Sequence, residues 1–278
     1  MSLIGQVKLY NGVFIPSLGF GTFKLTEPTE VNTAIEAALS AGYRAFDTAE
    51  LYQNESVLGN ALAHCGVARE ELFITTKIGN NSQGYEQTLR SFDRSLENLR
   101  LDYLDLYLVH WPLKDNFFAT WKAIERLYDD KRVRAIGVCN FHQSHFELLK
   151  IQANIKPMIN QIEIHPYLTQ QSLIQYLTSE GIAIEAWSPL ARGRVNDEKV
   201  LIDIANKYQK SASQVTLRWH LQKGLIVIPK SANPQRIIEN TKIFDFVLTP
   251  QEMKQIDLLD EGYRTGPNPD VVYEKNGF

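Results

Sequence analysis

The chain has little cysteine: Cys65 and Cys139 are its only two, far apart and without CxxC spacing. That excludes a disulfide framework and a cysteine zinc site. It also lacks any apolar run near the roughly 18 residues a membrane span needs. Its start, MSLIGQVKLYNGVF, has neither a basic n-region nor a long apolar h-region, which argues against a secretory leader. No G-x-G-x-x-G and no G-x-x-x-x-G-K-[ST] occurs; the nearest stretch, Gly19-Phe20-Gly21, lacks the third glycine, so a nucleotide, if bound, is not bound in the Rossmann manner. An excess of charge is missing too. With 29 Lys and Arg against 32 Asp and Glu, the net charge is −3 and the pI near 6.1, which supplies no electrostatic reason for nucleic acid or an anionic membrane as partner. A soluble cytoplasmic protein, working as a monomer, is the expectation.

The chain is rich in alternation. Asn11-Gly12 stands between two apolar runs in VKLYNGVFI, a β-hairpin signal. After it, short apolar runs alternate with amphipathic stretches eight times. The expected strands are residues 17–19, 45–47, 73–77, 104–110, 135–139, 158–164, 183–188 and 225–230. Helical stripes lie between them, such as Val31, Ile35 and Ala38, then Leu89, Phe92, Leu96 and Leu99, then Phe118, Trp121, Ile124 and Leu127. Ser211 with Gln214, and Thr249 with Glu252, form capping boxes. The second of these starts an extra helix ending near Asp260, and the Gly- and Pro-rich tail beyond reads as a loop returning over one face. Eight βα units at 278 residues fit one closed α/β barrel over residues 1–278 better than an open sheet.

In such a barrel the chemistry collects at the carboxyl ends of the strands. Asp47, Lys77 and His110 end strands two, three and four, with Tyr52 five residues past Asp47. Taken singly, the aspartate is a helix cap, the lysine a surface residue and the histidine a satisfied core residue; their shared rim reverses those odds. Together they make a proton donor with its tuning set. Lys77 would lower the Tyr52 phenol from its ordinary value near 10, Asp47 would keep the lysine charged, and His110 would donate to a carbonyl oxygen. A second site follows the last strand. Asn233 is a candidate N-cap with Pro234 at the first helical position, and backbone N–H groups there with Lys230, Ser231 and Arg236 suit a ribose 2′-phosphate. His142 and His145 have i, i+3 spacing, but no third ligand is near in sequence, so no metal is expected and an exposed helix start is the simpler reading.

The blocks DTAELYQNE, ITTKI, LVHWP, GVCNF and IPKSANPQRIIEN, in this order and spacing, resemble the signatures of the aldo-keto reductases, and within them the bacterial 2,5-diketogluconate reductase branch. The resemblance runs from GFGTF to the closing PNPD. It implies a (β/α)8 TIM barrel with an N-terminal hairpin and a C-terminal extra helix and loop, NADPH as cofactor and a small carbonyl compound as substrate. Carried over by residue, it sets Asn140 and Gln161 on the nicotinamide carboxamide and Trp187 against its face. Gly21, Thr22, Asp47, Cys139, Ser188, Leu190, Ala232 and Asn233 would line the cofactor, with Glu239 and Asn240 at the adenine. Phe23, Tyr52, His110, Trp111 and the tail from Tyr263 to Val272 would form the substrate wall. Cys139 replaces the usual serine and Trp187 a common tyrosine. Two rivals stay open: a Schiff-base aldolase using Lys77 or Lys230, and a non-enzymatic nucleotide-binding redox sensor.

Overall fold

The computed structural model describes residues 4–278, so the first three residues of the stretch read for a leader lie outside it. The hairpin forms as expected from β1 (Gln6–Lys8) and β2 (Phe14–Pro16), paired antiparallel with Val7 opposite Ile15. Its turn closes with Gly12 N–H on the Leu9 carbonyl, and Gly12 takes the left-handed φ of 91°.

Eight parallel strands follow: β3 (Phe20–Gly21), β4 (Ala45–Asp47), β5 (Phe73–Ile78), β6 (Leu104–Val109), β7 (Val133–Cys139), β8 (Ile159–Glu163), β9 (Ala183–Trp187) and β10 (Ile226–Val227). They are hydrogen-bonded in sequence order. Two expectations are corrected at the seam. The first barrel strand is residues 20–21, not 17–19, and the last spans only 226–227. Residues 17–19 instead close the barrel: Val227 N–H donates to the Ser17 carbonyl at 3.0 Å and Gly19 N–H to the Val227 carbonyl at 2.8 Å, with a parallel bridge at Leu18. Backbone groups that would otherwise be left open at two edges are thereby paired.

The helices are α1 (Pro28–Ser40), α2 (Glu55–Ala63), α3 (Tyr85–Leu99), α4 (Phe117–Asp129), α5 (Gln143–Lys150), α6 (Gln171–Ser179), α7 (Lys199–Tyr208), α8 (Ala212–Gln222), α9 (Pro234–Glu239), α10 (Pro250–Asp257) and α11 (Pro269–Lys275). Both capping boxes are present, at Ser211 and Thr249. The tail is not a plain loop. Asn268 accepts from Asp270 N–H, Pro269 takes the first helical position, and Val272 packs beside Trp111 and Leu113, which makes α11. The Asn-Pro-Asp start was the legible signal. His142 and His145 do begin α5, but His145 is buried, its ring receiving the His142 N–H at 3.0 Å.

Among the described residues no helix is long and apolar enough to cross a membrane. Helices α2 and α3 touch through Gly59, where an added Cβ would come 2.6 Å from the Leu99 backbone and closer still to the Asn98 carbonyl oxygen. Backbone cannot rotate aside. Gly59→Ala is therefore expected to destabilise by about 1–3 kcal/mol, overpacking outweighing the gain of up to about 1 kcal/mol in helix propensity. Urea unfolding measures it, and an unchanged or raised midpoint would show that the two helices can separate freely.

Candidate active site

The rim residues meet as the strand ends imply. Lys77, wholly buried, donates to Asp47 Oδ1 at 2.6 Å, to the Thr48 carbonyl at 2.9 Å and to the Tyr52 hydroxyl oxygen at 3.3 Å. An ammonium has three hydrogens, and all three are used. Register places the lysine here, since Asp47 pairs with Thr75 between β4 and β5 and Lys77 lies two residues further along the same face. Tyr52 sits on a short 3₁₀ turn, Glu50–Tyr52, that Glu50 ties down by accepting from Gly79 N–H at 2.8 Å, Ser82 at 2.7 Å, Ser91 at 2.8 Å and from Arg94. Asn54 fastens the other side. It accepts from Thr48 at 2.7 Å and donates to the carbonyls of Thr22 and Leu25 at 2.9 and 2.8 Å, joining the GFGTF loop to the DTA turn. Sequence reading missed Glu50, Thr48 and Asn54, although all three lie in or beside the block that contains Tyr52.

Electrostatics correct one expectation. Burial pushes the Tyr52 phenol up, and the Lys77 ammonium, which pulls it down, does not overcome that cost. The phenol is thus held protonated. For Lys77 burial disfavours the charge, but the Asp47 carboxylate more than offsets this and the ammonium is raised above its ordinary value. Burial raises Asp47 as well, countered by Lys77 and by Gln161. Two raised partners would also fit a neutral carboxyl; the three filled donor positions on Lys77 and the Gln161 N–H on Asp47 Oδ2 at 2.7 Å favour the ion pair. His110 lies edge-on to Tyr52, ring centres 5.7 Å apart, and burial followed by the Lys77 charge lowers it well below the usual imidazole range. It is neutral, with a buried Nδ1 that has no partner among the described residues. Phe23 leans on Tyr52 at 4.9 Å and Trp111 stacks on His110 at 6.3 Å, with Phe278 of the tail against Trp111 at 5.3 Å, so an aromatic wall surrounds the phenol.

The residues assigned by resemblance to the nicotinamide lie on the next strands. Trp187 donates to Asn140 Oδ1 at 2.8 Å, and Asn140 donates to the His110 carbonyl at 3.0 Å and to Cys139 Sγ at 3.2 Å. Asn140 and Ser188, at the mouths of β7 and β9, hold left-handed φ of 64° and 51°. Gly266 packs on the Trp187 ring and Ser188 bonds Thr265 at 3.0 Å, which brings the tail against this group. Leu190 follows Ser188 at the same mouth and is half-buried. Gln161 spends both N–H groups on carboxyls, Asp47 and Glu185, and receives the Cys139 thiol at 3.6 Å. Gly21 has a structural requirement of its own: a Cβ there would meet the Ile228 carbonyl at 2.9 Å across the seam. Thr22 bonds the Asp47 carbonyl at 2.9 Å.

Past β10, Asn233 caps α9 as expected, accepting from Arg236 N–H at 3.2 Å, while Ser231 Oγ accepts from Asn233 N–H at 3.0 Å. Two backbone donors expected for an anion are therefore already taken. The exposed cations Lys230 and Arg236 form no ion pair among the described residues; Ser231 and Ala232 lie between them in sequence, Glu239 ends α9 and buried Asn240 is its C-cap. Among the described residues no group of three or more His, Cys, Asp or Glu is placed to hold a metal ion.

The aldo/keto reductase family model matches residues 17–261. Glyoxal reductase of Bacillus subtilis (strain 168) is 53% identical, covering 98% of both chains. Methylglyoxal reductase DkgA of Yersinia pestis is 44% identical, again over 98% of each. The crystal structure of a Bombyx mori aldo-keto reductase in complex with NADP superposes with a TM-score of 0.91 at 36% identity, covering 97% of each chain. With the family model spanning most of the chain and relatives this similar over their full length, the chain belongs to the aldo/keto reductase family.

Proposed function

We propose that this chain is an NADPH-dependent reductase of small aldehydes and ketones, with two-carbon and three-carbon dicarbonyls the first substrates to try. The observation that carries the mechanism is the saturated Lys77 ammonium: it spends its hydrogens on Asp47, the Thr48 carbonyl and the Tyr52 oxygen, so the phenol's own proton is free to leave toward the cleft. When bound, NADPH would supply the hydride for the carbonyl carbon. Tyr52 protonates the oxygen, and Lys77 stabilises the phenolate that this leaves. Neutral His110 donates a hydrogen bond to the carbonyl oxygen. Phe23 and Trp111 form an apolar wall that excludes water and admits small substrates. A Schiff-base role is disfavoured, because Lys77 is raised, charged and fully engaged.

The residues fit the cofactor. Lys230 and Arg236 are exposed cations without a carboxylate partner among the described residues, the state that a 2′-phosphate would complete, and half-buried Trp187 is braced by Asn140. Activity is assigned to the whole chain as one barrel domain, monomeric and cytoplasmic, and size-exclusion chromatography with light scattering reads the first of these. A turnover screen following NADPH oxidation over short aldehydes, dicarbonyls and keto sugars tests the function; silence across that panel would overturn it. Arg236→Ala should weaken NADPH by about 10-fold to 100-fold and leave NADH little changed, as expected for loss of a charge-assisted contact to phosphate. Equal losses in fluorescence titrations with both cofactors would remove Arg236 from that role.

A further inference from the structure

Glu185 lies in the middle of β9, pointed into the barrel and only 3% exposed. It faces Gln161 across the β8–β9 ladder. Gln161 Nε2 donates to Glu185 Oε2 at 2.6 Å and to Asp47 Oδ2 at 2.7 Å, one amide nitrogen serving two carboxyl groups. The reaction as described has no use for Glu185.

We propose that Glu185 is a positioning residue for the proton donor: through the Gln161 amide it holds Asp47, and with it the Lys77 ammonium, against the Tyr52 hydroxyl. This rests on the reading of Tyr52 as the donor. An amide side chain can turn its oxygen or its nitrogen toward a neighbour. With its oxygen toward Asp47 it would repel the carboxylate. Glu185 accepts the second N–H, and the Cys139 thiol at 3.6 Å takes the oxygen side, so the nitrogen is kept on Asp47. Asp47 is then gripped at both oxygens, by Lys77 on Oδ1 and by Gln161 on Oδ2.

The charge on Glu185 matters as much as its place. The groups that face it are Asp47 on β4, Lys77 on β5, Cys139 on β7 and Gln161 on β8. Burial and then the Asp47 charge raise its carboxyl to about 8, with Gln161 and Lys77 opposing. Below that value Glu185 is a neutral acid and Lys77 balances one carboxylate. Above it, two carboxylates share one ammonium, and the added negative charge makes the Tyr52 phenol a poorer acid. Reduction should therefore slow as Glu185 ionises.

The test compares wild type, Glu185→Ala, Glu185→Gln and Tyr52→Phe, each checked by circular dichroism and NADPH fluorescence titration. Glu185→Ala should lower kcat about 10-fold or more near pH 6, with NADPH affinity held within about 3-fold, as loss of orientation rather than of binding requires. The neutral isostere Glu185→Gln should recover most of that loss and lack the wild-type decline between about pH 7 and 9, the window set by a carboxyl near 8. Independently of turnover, the apo protein should show in its infrared spectrum a protonated carboxylic acid that disappears across the same window and is absent from Glu185→Gln. Equal losses in the Ala and Gln variants, or a Gln profile that follows wild type, would overturn the proposal. If Glu185→Ala does not fold, the Gln profile and the infrared band decide. Retained turnover in Tyr52→Phe would sink the donor reading itself, whereas an inactive Tyr52→Phe beside an unchanged Glu185→Gln profile would sink only the role of Glu185.

Discussion

Tyr52→Phe is expected to lower kcat for carbonyl reduction by about 10²-fold to 10⁴-fold, the range a positioned general acid contributes. The change removes one oxygen from a ring whose place is set by other contacts: Phe23 at 4.9 Å, His110 at 5.7 Å and the Glu50 tether on its turn. The ring should stay, and with it the aromatic wall. Because the hydroxyl only receives the weakest of the three Lys77 bonds, at 3.3 Å, the Asp47 and Thr48 contacts persist without it. NADPH affinity by fluorescence titration should then be nearly unchanged while kcat falls. Near-normal turnover would mean that another group, or water, protonates the alkoxide.

Lys77→Met should be as damaging to rate and much more damaging to the fold. Here an ammonium is taken from a fully buried carboxylate, and breaking such a pair from one side costs about 3–5 kcal/mol. Methionine fills much of the volume, so the loss is electrostatic and not a cavity effect. It also acquires a pH dependence. Without Lys77, nothing offsets burial at Asp47 except the Gln161 N–H, and the folded-state carboxyl moves further above its unfolded value near 3.9. Folded protein then binds more protons than unfolded, so stability falls as pH rises above about 4. In wild type the lysine has the same sign in a higher window: its folded value is raised, so its contribution is complete below about 10.4 and is lost only as pH climbs past that. Urea unfolding of both proteins at about pH 5 and 8 should show the larger gap at pH 8. A gap independent of pH would mean that Asp47 is not the group left uncompensated.

Much of this protein is local in origin and was open to reading from the chain. Short apolar runs alternating with stretches of period 3.6 named the eight βα units, the capping residues at Ser211, Thr249 and Asn233 located helix starts, and strand ends assembled Asp47, Lys77 and His110, because in a parallel barrel every strand delivers its carboxyl end to the same rim. What the chain could not show is whatever depends on partners distant in sequence. The seam formed by residues 17–19 needs β10 to exist before its hydrogen bonds mean anything. α11 carries a readable cap but a stripe too short to recognise until Val272 finds Trp111. Sign reversal at Tyr52 is of the same kind: a neighbouring ammonium can be guessed from spacing, whereas the cost of burying a phenolate depends on how completely the barrel closes around it. Glu185 is the sharpest case. A glutamate inside an apolar strand run looks like any solvent-facing strand residue, and only the register of β8 against β9, with Asp47 reaching the same Gln161 from 114 residues away, makes it part of the site.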